Sequence, residues 1–353
     1  MSASSADSES NMAPMLVSNA ARRPRVYVIA TGGSISCIGD SRIDLIDYNY
    51  ADQHLTIEQM LARIPEIEAA VEVRSEQFLN VYGGDVTPDQ WLTLARRINS
   101  IFRADPDAAG VVVTHGTSTL EETAYFLNLT IKSERPVVVT GAMRPPTAMS
   151  TDADANLYDA IRVAAAPGAC GKGVLVVLNN QILAARDAIK TSTSRLETFR
   201  SIELGVLGYA DSDGQVVFYR TPARMHTVNT EFDADSIQSL ARVDLAHAYS
   251  GVDGVAVEAF ERAGARGIVG VGLGSGSAPR AFLNALVDAR ARGVAVVMAS
   301  QSFNGRVMGK RTFLSRGFVV ADNLGAKKAR ILLMLALGTP RSNDELQRML
   351  LSY

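Results

Sequence analysis

A run of valines that breaks on a glycine and three successive hydroxyl side chains constrains this chain more than any other stretch: residues 111–124 read VVVTHGTSTLEETA. Three β-branched residues without polar alternation suit a parallel strand covered on both faces. Gly116 permits a sharp turn at the carboxyl end of that strand. Thr117, Ser118 and Thr119 are then placed to cap a helix from Leu120, whose first turn carries Glu121 and Glu122. Taken alone, these hydroxyls do no more than cap. A second turn of the same kind changes the reading, because residues 25–30, RVYVIA, form another short buried strand followed by Thr31, Gly32, Gly33, Ser34, Ile35 and Ser36. Two hydroxyl-lined glycine turns on one parallel sheet converge on one cleft, at the edge where open α/β sheets bind ligands.

The rest of the chain supplies such a sheet. Residues 72–82 read as a strand followed by a Gly83–Gly84 turn, and residues 87–102 as a helix with Trp91, Leu94, Ile98 and Phe102 on one stripe. A shorter helix over 56–64 is capped by Thr56 and stopped by Pro65. Strands at 136–141 and 173–178 flank a helix at 152–165, and this alternation implies a parallel sheet with helices on both faces. Residues 38–53 are polar, bear tyrosines and lack helical periodicity, which suits a mobile loop over the cleft that closes it against water. Residues 185–194, ARDAIKTSTS, set Lys190 among small hydroxyl side chains, within reach of a cleft. Residues 214–233 suit a strand pair and linker, after which strands at 243–248, 267–272, 294–299 and 317–321 resume the alternation. The chain therefore divides into a disordered tail (1–24), an N-terminal α/β domain (25–222), a linker (223–241) and a smaller C-terminal α/β domain (242–353). Glycines at 272, 274 and 276 follow a strand, but the GxGxxG spacing is not met and no nucleotide site is assigned.

Composition excludes several classes of function. A net charge of −2 gives no electrostatic reason for a nucleic-acid or membrane partner. Cys37 and Cys170 are the only cysteines, too few for a disulfide framework or a zinc site, and Cys37 reads as a small packing residue. The first two dozen residues are rich in Ser, Ala and Asn and lack the apolar stretch of a signal peptide, and no run reaches membrane-spanning length, so the expected compartment is the cytoplasm.

Together these turns resemble the bacterial-type L-asparaginase family, and the likeness runs from about residue 25 to the last helix. Residues 31–36, TGGSIS, are similar to the family's TGGTIA signature, and residues 114–123, THGTSTLEET, to its HGTDTMEET signature. Residues 141–145, GAMRP, match a third, and residues 187–192 match the segment that bears the family's lysine. The resemblance implies a flavodoxin-like parallel-sheet N-terminal domain, a smaller α/β C-terminal domain, and a homotetramer assembled as a dimer of dimers. It also implies hydrolysis of a small side-chain amide to acid and ammonia through an acyl-enzyme, with no metal or cofactor. Carried over by position, the nucleophile is Ser34, and the second hydroxyl and the lysine are Thr117 and Lys190. The assisting loop tyrosine is Tyr48, with Tyr50 as the alternative alignment. Gly33, Gly83, Gly84, Asp85, Gly116, Ser118 and Met143 then fall at substrate-binding positions.

The chemistry agrees with these residue types. An alcohol is a weak nucleophile near neutral pH and needs a base or a cation beside it, a role open to Lys190 as a base of lowered pKa or as a fixed charge. Backbone N–H groups of the glycine turns can stabilise an oxyanion, at about 3 kcal/mol per donor. His115 reads as a structural hydrogen-bonding residue and not as a base. Four departures bear on the substrate. Ser34 replaces the family's threonine, Gly83 its carboxylate-binding serine, Ser118 the aspartate that pairs with the substrate ammonium, and Ser277 an asparagine near the same group. Three functions follow: an asparaginase of altered affinity, the same chemistry on an amide or lactam without a free α-amino group, or a catalytically silent small-molecule sensor.

Overall fold

The computed structural model describes residues 22–48 and 53–353; most of the expected tail, and Tyr50, lie outside the described residues. Residues 22–24, assigned to the tail by sequence, lead directly into the first strand, and the Pro24 carbonyl accepts from the Glu72 amide at 2.9 Å.

The N-terminal half opens with β1 (Arg25–Gly32), α1 (Ile57–Leu61), β2 (Glu72–Val81), α2 (Pro88–Ala104), β3 (Ala108–Thr114), α3 (Leu120–Thr130), β4 (Val137–Thr140), α4 (Ala153–Ala165) and β5 (Val174–Leu178). It continues through β6 (Gln181–Ala184), β7 (Ile189–Lys190), β8 (Phe199–Arg200), β9 (Gly208–Ala210) and β10 (Val216–Phe218). The first sheet runs β10-β9-β6-β5-β4-β3-β1-β2, with β2, β1, β3, β4 and β5 parallel and the β6, β9, β10 side antiparallel. The parallel core thus has the doubly wound order 2-1-3-4-5, which reverses direction between β1 and β3. Both hydroxyl-lined turns leave the sheet at that switch point.

The valine run of β3 is apolar on both sides because both sides are covered. Val111 and Val113 pack in one cluster with Trp91, Leu94 and Phe126 of α2 and α3, whereas Val112 packs in a second with Leu157 and Ile161 of α4. Thr56 and Thr87 each cap their helix through a capping box. The helix after Thr56 ends at Leu61, short of the expected 64, and Pro65 opens a separate 3₁₀ turn (Pro65–Ala69) where its fixed φ fits a first helical position.

The second half contains β11 (Val243–His247), α5 (Val255–Arg262), β12 (Gly267–Gly272), α6 (Arg280–Ala291), β13 (Ala295–Ser300), α7 (Arg311–Leu314), β14 (Val319–Val320), α8 (Ala326–Ala336) and α9 (Asn343–Ser352). Its four strands form a separate parallel sheet in the order β11-β12-β13-β14. The larger apolar cluster extends from α2 and α3 through α8 and α9 to Val269 and Val297, so the two sheets share a core across the α3–α8 contact. The stretch read as a linker is tied down on the same side. Arg96 donates to the Ala234 and Ile237 carbonyls, and the Lys132 ammonium to the Thr230 carbonyl at 2.7 Å. The strand pair expected within 214–233 begins earlier, as β9 and β10, because the turn that joins them lies at Asp211–Gly214.

Candidate active site

Three glycines bring the turns after β1, β2 and β3 into direct backbone contact. A Cβ placed on Gly33 would lie 2.2 Å from the Gly116 Cα, and one on Gly83 would lie 2.5 Å from the same atom. Only residues without side chains allow this approach. Gly32 and Gly33 also hold φ values of +102° and +87°, a left-handed turn that aims the next residue, Ser34, back over the sheet edge. Hydrogen bonds fix the contact: the Thr31 hydroxyl donates to the Thr114 carbonyl at 2.7 Å, and the Thr119 hydroxyl donates to the Gly83 carbonyl. The sequence expectation that Thr117, Ser118 and Thr119 cap α3 is therefore corrected. No side chain caps that helix, because Thr119 is spent on the neighbouring turn and Thr117 on a lysine.

Ser34 and Thr117 each follow one of the touching glycines, and each has a hydrogen-bonded partner. The Ser34 Oγ lies 3.0 Å from the Tyr48 hydroxyl. Both residues are half-buried. Burial pushes the Tyr48 phenol above its ordinary value while the bond to Ser34 pulls the other way. The Thr117 side chain is buried, and the Lys190 Nζ donates to its Oγ1 at 2.7 Å. Lys190 reaches it from β7, a two-residue strand held against β8. Burial lowers the Lys190 ammonium below its ordinary value, the Lys327 ammonium adds to that, and Glu121 opposes both. Gly141, in the third motif, leaves space for Thr117: a Cβ there would sit 3.1 Å from the threonine methyl.

His115 is fully buried and lies beneath this arrangement. Its Nδ1 lies 2.9 Å from the Gly116 carbonyl, which can only accept, so the proton sits on Nδ1 and the Nε2 accepts from the Thr123 hydroxyl at 2.9 Å. Burial lowers its pKa to about 4, which keeps the ring neutral at ordinary pH. This agrees with a structural role.

The remaining sequence-assigned residues divide by location. Gly83, Gly84 and Asp85 form a single 3₁₀ turn beside Gly116, with Gly83 buried and the Asp85 carboxylate exposed. Ser118 is exposed at the same edge. Met143 is buried, and its amide donates to Asp152 at 2.9 Å. Ser277 belongs to a separate turn of the second half, bridged to Leu273. Sequence reasoning missed Asp152, which it placed only as a helix start. The carboxylate accepts from the amides of Met143 and Arg144 and from the Asn156 side chain, each at 2.9 Å, and so fixes the GAMRP turn. It also missed Tyr82, whose partly exposed ring stands over Gly84. Among the described residues no cluster of three or more His, Cys, Asp or Glu side chains is placed to hold a metal ion, and no helix is long and apolar enough to cross a membrane.

Comparison with known proteins agrees with this architecture. The family described as Asparaginase, N-terminal matches residues 25–224, and the Glutaminase/Asparaginase C-terminal domain matches residues 242–350. The chain is 40% identical over 321 residues to L-asparaginase 2 of Bacillus subtilis (strain 168), covering 91% of this chain and 84% of that protein. It is 40% identical to a glutaminase-asparaginase of Pseudomonas fluorescens biotype A, covering 93% and 90% of the two chains. The crystal structure of a probable cytoplasmic L-asparaginase from Campylobacter jejuni superposes with a TM-score of 0.87 at 37% identity, covering 94% of this chain and 100% of that one. With both halves matched and such identity across nearly its whole described length, the chain belongs to the bacterial-type L-asparaginase family, hydrolases that act on amide carbon–nitrogen bonds.

Proposed function

We propose that the protein hydrolyses L-asparagine to L-aspartate and ammonia through an acyl-enzyme on Ser34. Tyr48, hydrogen-bonded to Ser34 at 3.0 Å, relays a proton as the Oγ attacks the side-chain amide carbon: its oxygen takes the serine proton while its own phenol proton passes to the amide nitrogen. The departing nitrogen takes a proton and leaves as ammonia, and water then cleaves the ester. Thr117 and Lys190 act as a pair beside that carbon. As a neutral amine, Lys190 accepts the Thr117 proton along the bond it otherwise donates, while the Thr117 oxygen takes a proton from the water that cleaves the ester. The observation that carries the reading is the 2.7 Å Lys190–Thr117 bond, one residue from the Gly33–Gly116 backbone contact that sets Ser34 alongside. Turn amides of the same region supply the oxyanion donors, at about 3 kcal/mol each.

A second reading, the same chemistry on an amide or lactam without a free α-amino group, is favoured by two observations. Ser118 offers the substrate no charge, and Gly83 has no room for a carboxylate-binding side chain, since Gly116 fills that space. Losing a partner for a charged ligand group costs about 2 to 5 kcal/mol. The exposed Asp85 carboxylate, two residues along, remains as the candidate ammonium partner. Ammonia release from L-asparagine, its D-isomer, glutamine and amides lacking the α-amino group separates the two readings. Silence toward all of them with ligand binding intact supports the sensor. Ser34→Ala and Thr117→Val should each abolish turnover on a folded protein, and more than about a tenth of wild-type kcat in either removes its assigned role.

Within this proposal the domains are residues 25–222 and 242–353, joined by 223–241, supported by the two family matches. The protein assembles as a homotetramer, a dimer of dimers, and works in the cytoplasm, the compartment named for the Campylobacter jejuni protein.

A further inference from the structure

Beside Lys190, a cavity of about 410 Å³ whose lining includes neither Ser34 nor Thr117 opens between the two halves of the chain. Lys190 borders it from β7, Glu121 from the first turn of α3, and Lys327 from the first turn of α8. The Glu121 carboxylate is almost wholly buried, and the Lys327 ammonium meets it at 2.6 Å. A buried carboxylate demands a cation. Three lysines border the same cavity, Lys190, Lys327 and Lys328, and Lys327 of α8 is the one paired with this carboxylate.

We propose that Lys327 is a positioning residue for the amide-cleaving site: by occupying Glu121 it keeps that carboxylate from capturing Lys190, and so holds the Lys190 Nζ on Thr117. The inference rests on the amidase reading above and deepens it. Without Lys327, the buried Glu121 carboxylate that borders the Lys190 cavity loses its ion-pair partner. The amine would then turn toward it, take up a proton and lose its use as a base. The electrostatics run the same way, since the Lys327 cation disfavours a second cation at Lys190 while Glu121 favours one.

Most other charged groups around Lys190 already have hydrogen-bond or ion-pair partners. Lys328 donates to the Arg186 and Ala188 carbonyls at 2.7 and 2.6 Å, and the Glu121 charge acts on it without a direct bond. Arg186 pairs with Asp187 at 3.2 Å, and Arg200 of β8 with Glu197 at 3.0 Å. Glu203 accepts from Asn323, and Glu122 faces Arg330 at 3.7 Å. His247 borders the cavity from the end of β11. Lys327 is thus the group whose removal frees a buried carboxylate at this place.

The test compares wild type with Lys327→Gln and Lys327→Arg over about pH 5 to 10, reading kcat/KM for L-asparagine and, separately, the titration of the Lys190 ε-methylene NMR signal, assigned by its loss in Lys190→Arg. Lys327→Gln should lose roughly threefold to tenfold at pH 7, recover near pH 9, and titrate Lys190 at higher pH. Lys327→Arg should follow wild type. A uniform loss at every pH, an unmoved Lys190 titration, or equal behaviour of the two variants would overturn the inference. If wild type releases no ammonia yet the Lys190 titration moves in Lys327→Gln, the amidase reading fails while the coupling stands.

Discussion

Gly116→Ala tests whether the three sheet-edge turns form one unit. The added Cβ would lie 2.3 Å from the Gly83 Cα, 2.9 Å from the Gly83 nitrogen and 3.3 Å from the Gly33 Cα. Non-bonded carbons settle at about 3.5 to 4.0 Å, so the tightest contact must open by about 1.2 Å. The neighbours are backbone atoms in strand-anchored turns and cannot swing aside as a side chain would. Gly116 does not have a positive φ, so the whole effect is steric. Overpacking of this kind costs about 1 to 3 kcal/mol, and the loosened Thr119–Gly83 bond adds about 1 kcal/mol. The larger effect falls on rate. A Gly116 displaced about 1 Å from Gly83 carries Thr117, the next residue, off its place by a similar amount, worth roughly 10²-fold in kcat/KM. Urea unfolding and ammonia release read the two effects. Gly274→Ala is the control, because its added Cβ would meet no atom within 4 Å and only a φ of +49° opposes it. If Gly116→Ala keeps wild-type stability, the turns are not in contact. If stability falls while turnover is untouched, the contact does not set the site geometry.

The elements legible in sequence are those whose own residues decide them. β3 and β12 are apolar runs buried on both faces, and α2 carries a buried stripe behind a Thr87 capping box, so pattern and environment agree. The missed elements are decided by their partners. β6 and β9 are three or four residues long and join the sheet antiparallel between β5 and the edge strand β10, and β7 exists only through two residues paired with β8. Nothing in their local composition separates them from loop.

The candidate site divides the same way. Ser34, Thr117 and Lys190 were found because hydroxyls and a lysine stand in recognisable segments, and the structure brings Thr117 and Lys190 together and sets Ser34 beside Tyr48. What the glycines do was not legible, since a glycine that turns a chain and one that touches another glycine look alike in sequence. Glu121 was read as a favourable charge in a helix first turn; its partner, Lys327, stands 206 residues away, beyond any local pattern. The hydroxyls taken for caps show the converse error, a local rule overridden because a neighbouring turn and a lysine offered them better partners.

Two pH dependences follow from buried groups. Burial lowers the Lys328 ammonium to about 8 from 10.5, so between those values the unfolded chain holds a proton that the folded chain has released, and stability rises with pH by up to about 3 kcal/mol. Urea unfolding of Lys328→Met should lack that rise between about pH 8 and 9.5, and an unchanged slope would contradict it. His115 works at the acid end. Its folded pKa of about 4 lies below the ordinary 6.5, so its contribution is complete above 6.5 and is lost as pH falls toward 4, when the unfolded ring binds a proton that the folded one refuses. The loss amounts to about 3 kcal/mol if the ring stays buried and bonded through Gly116 and Thr123. His115→Gln removes the titrating group, so the stability difference between about pH 7 and 4.5 should shrink by most of that amount. A wild-type imidazole titrating near its ordinary value, or the same acid sensitivity in His115→Gln, would mean that the ring is open to water. The floor beneath the Gly116 turn would then be less closed than its hydrogen bonds require.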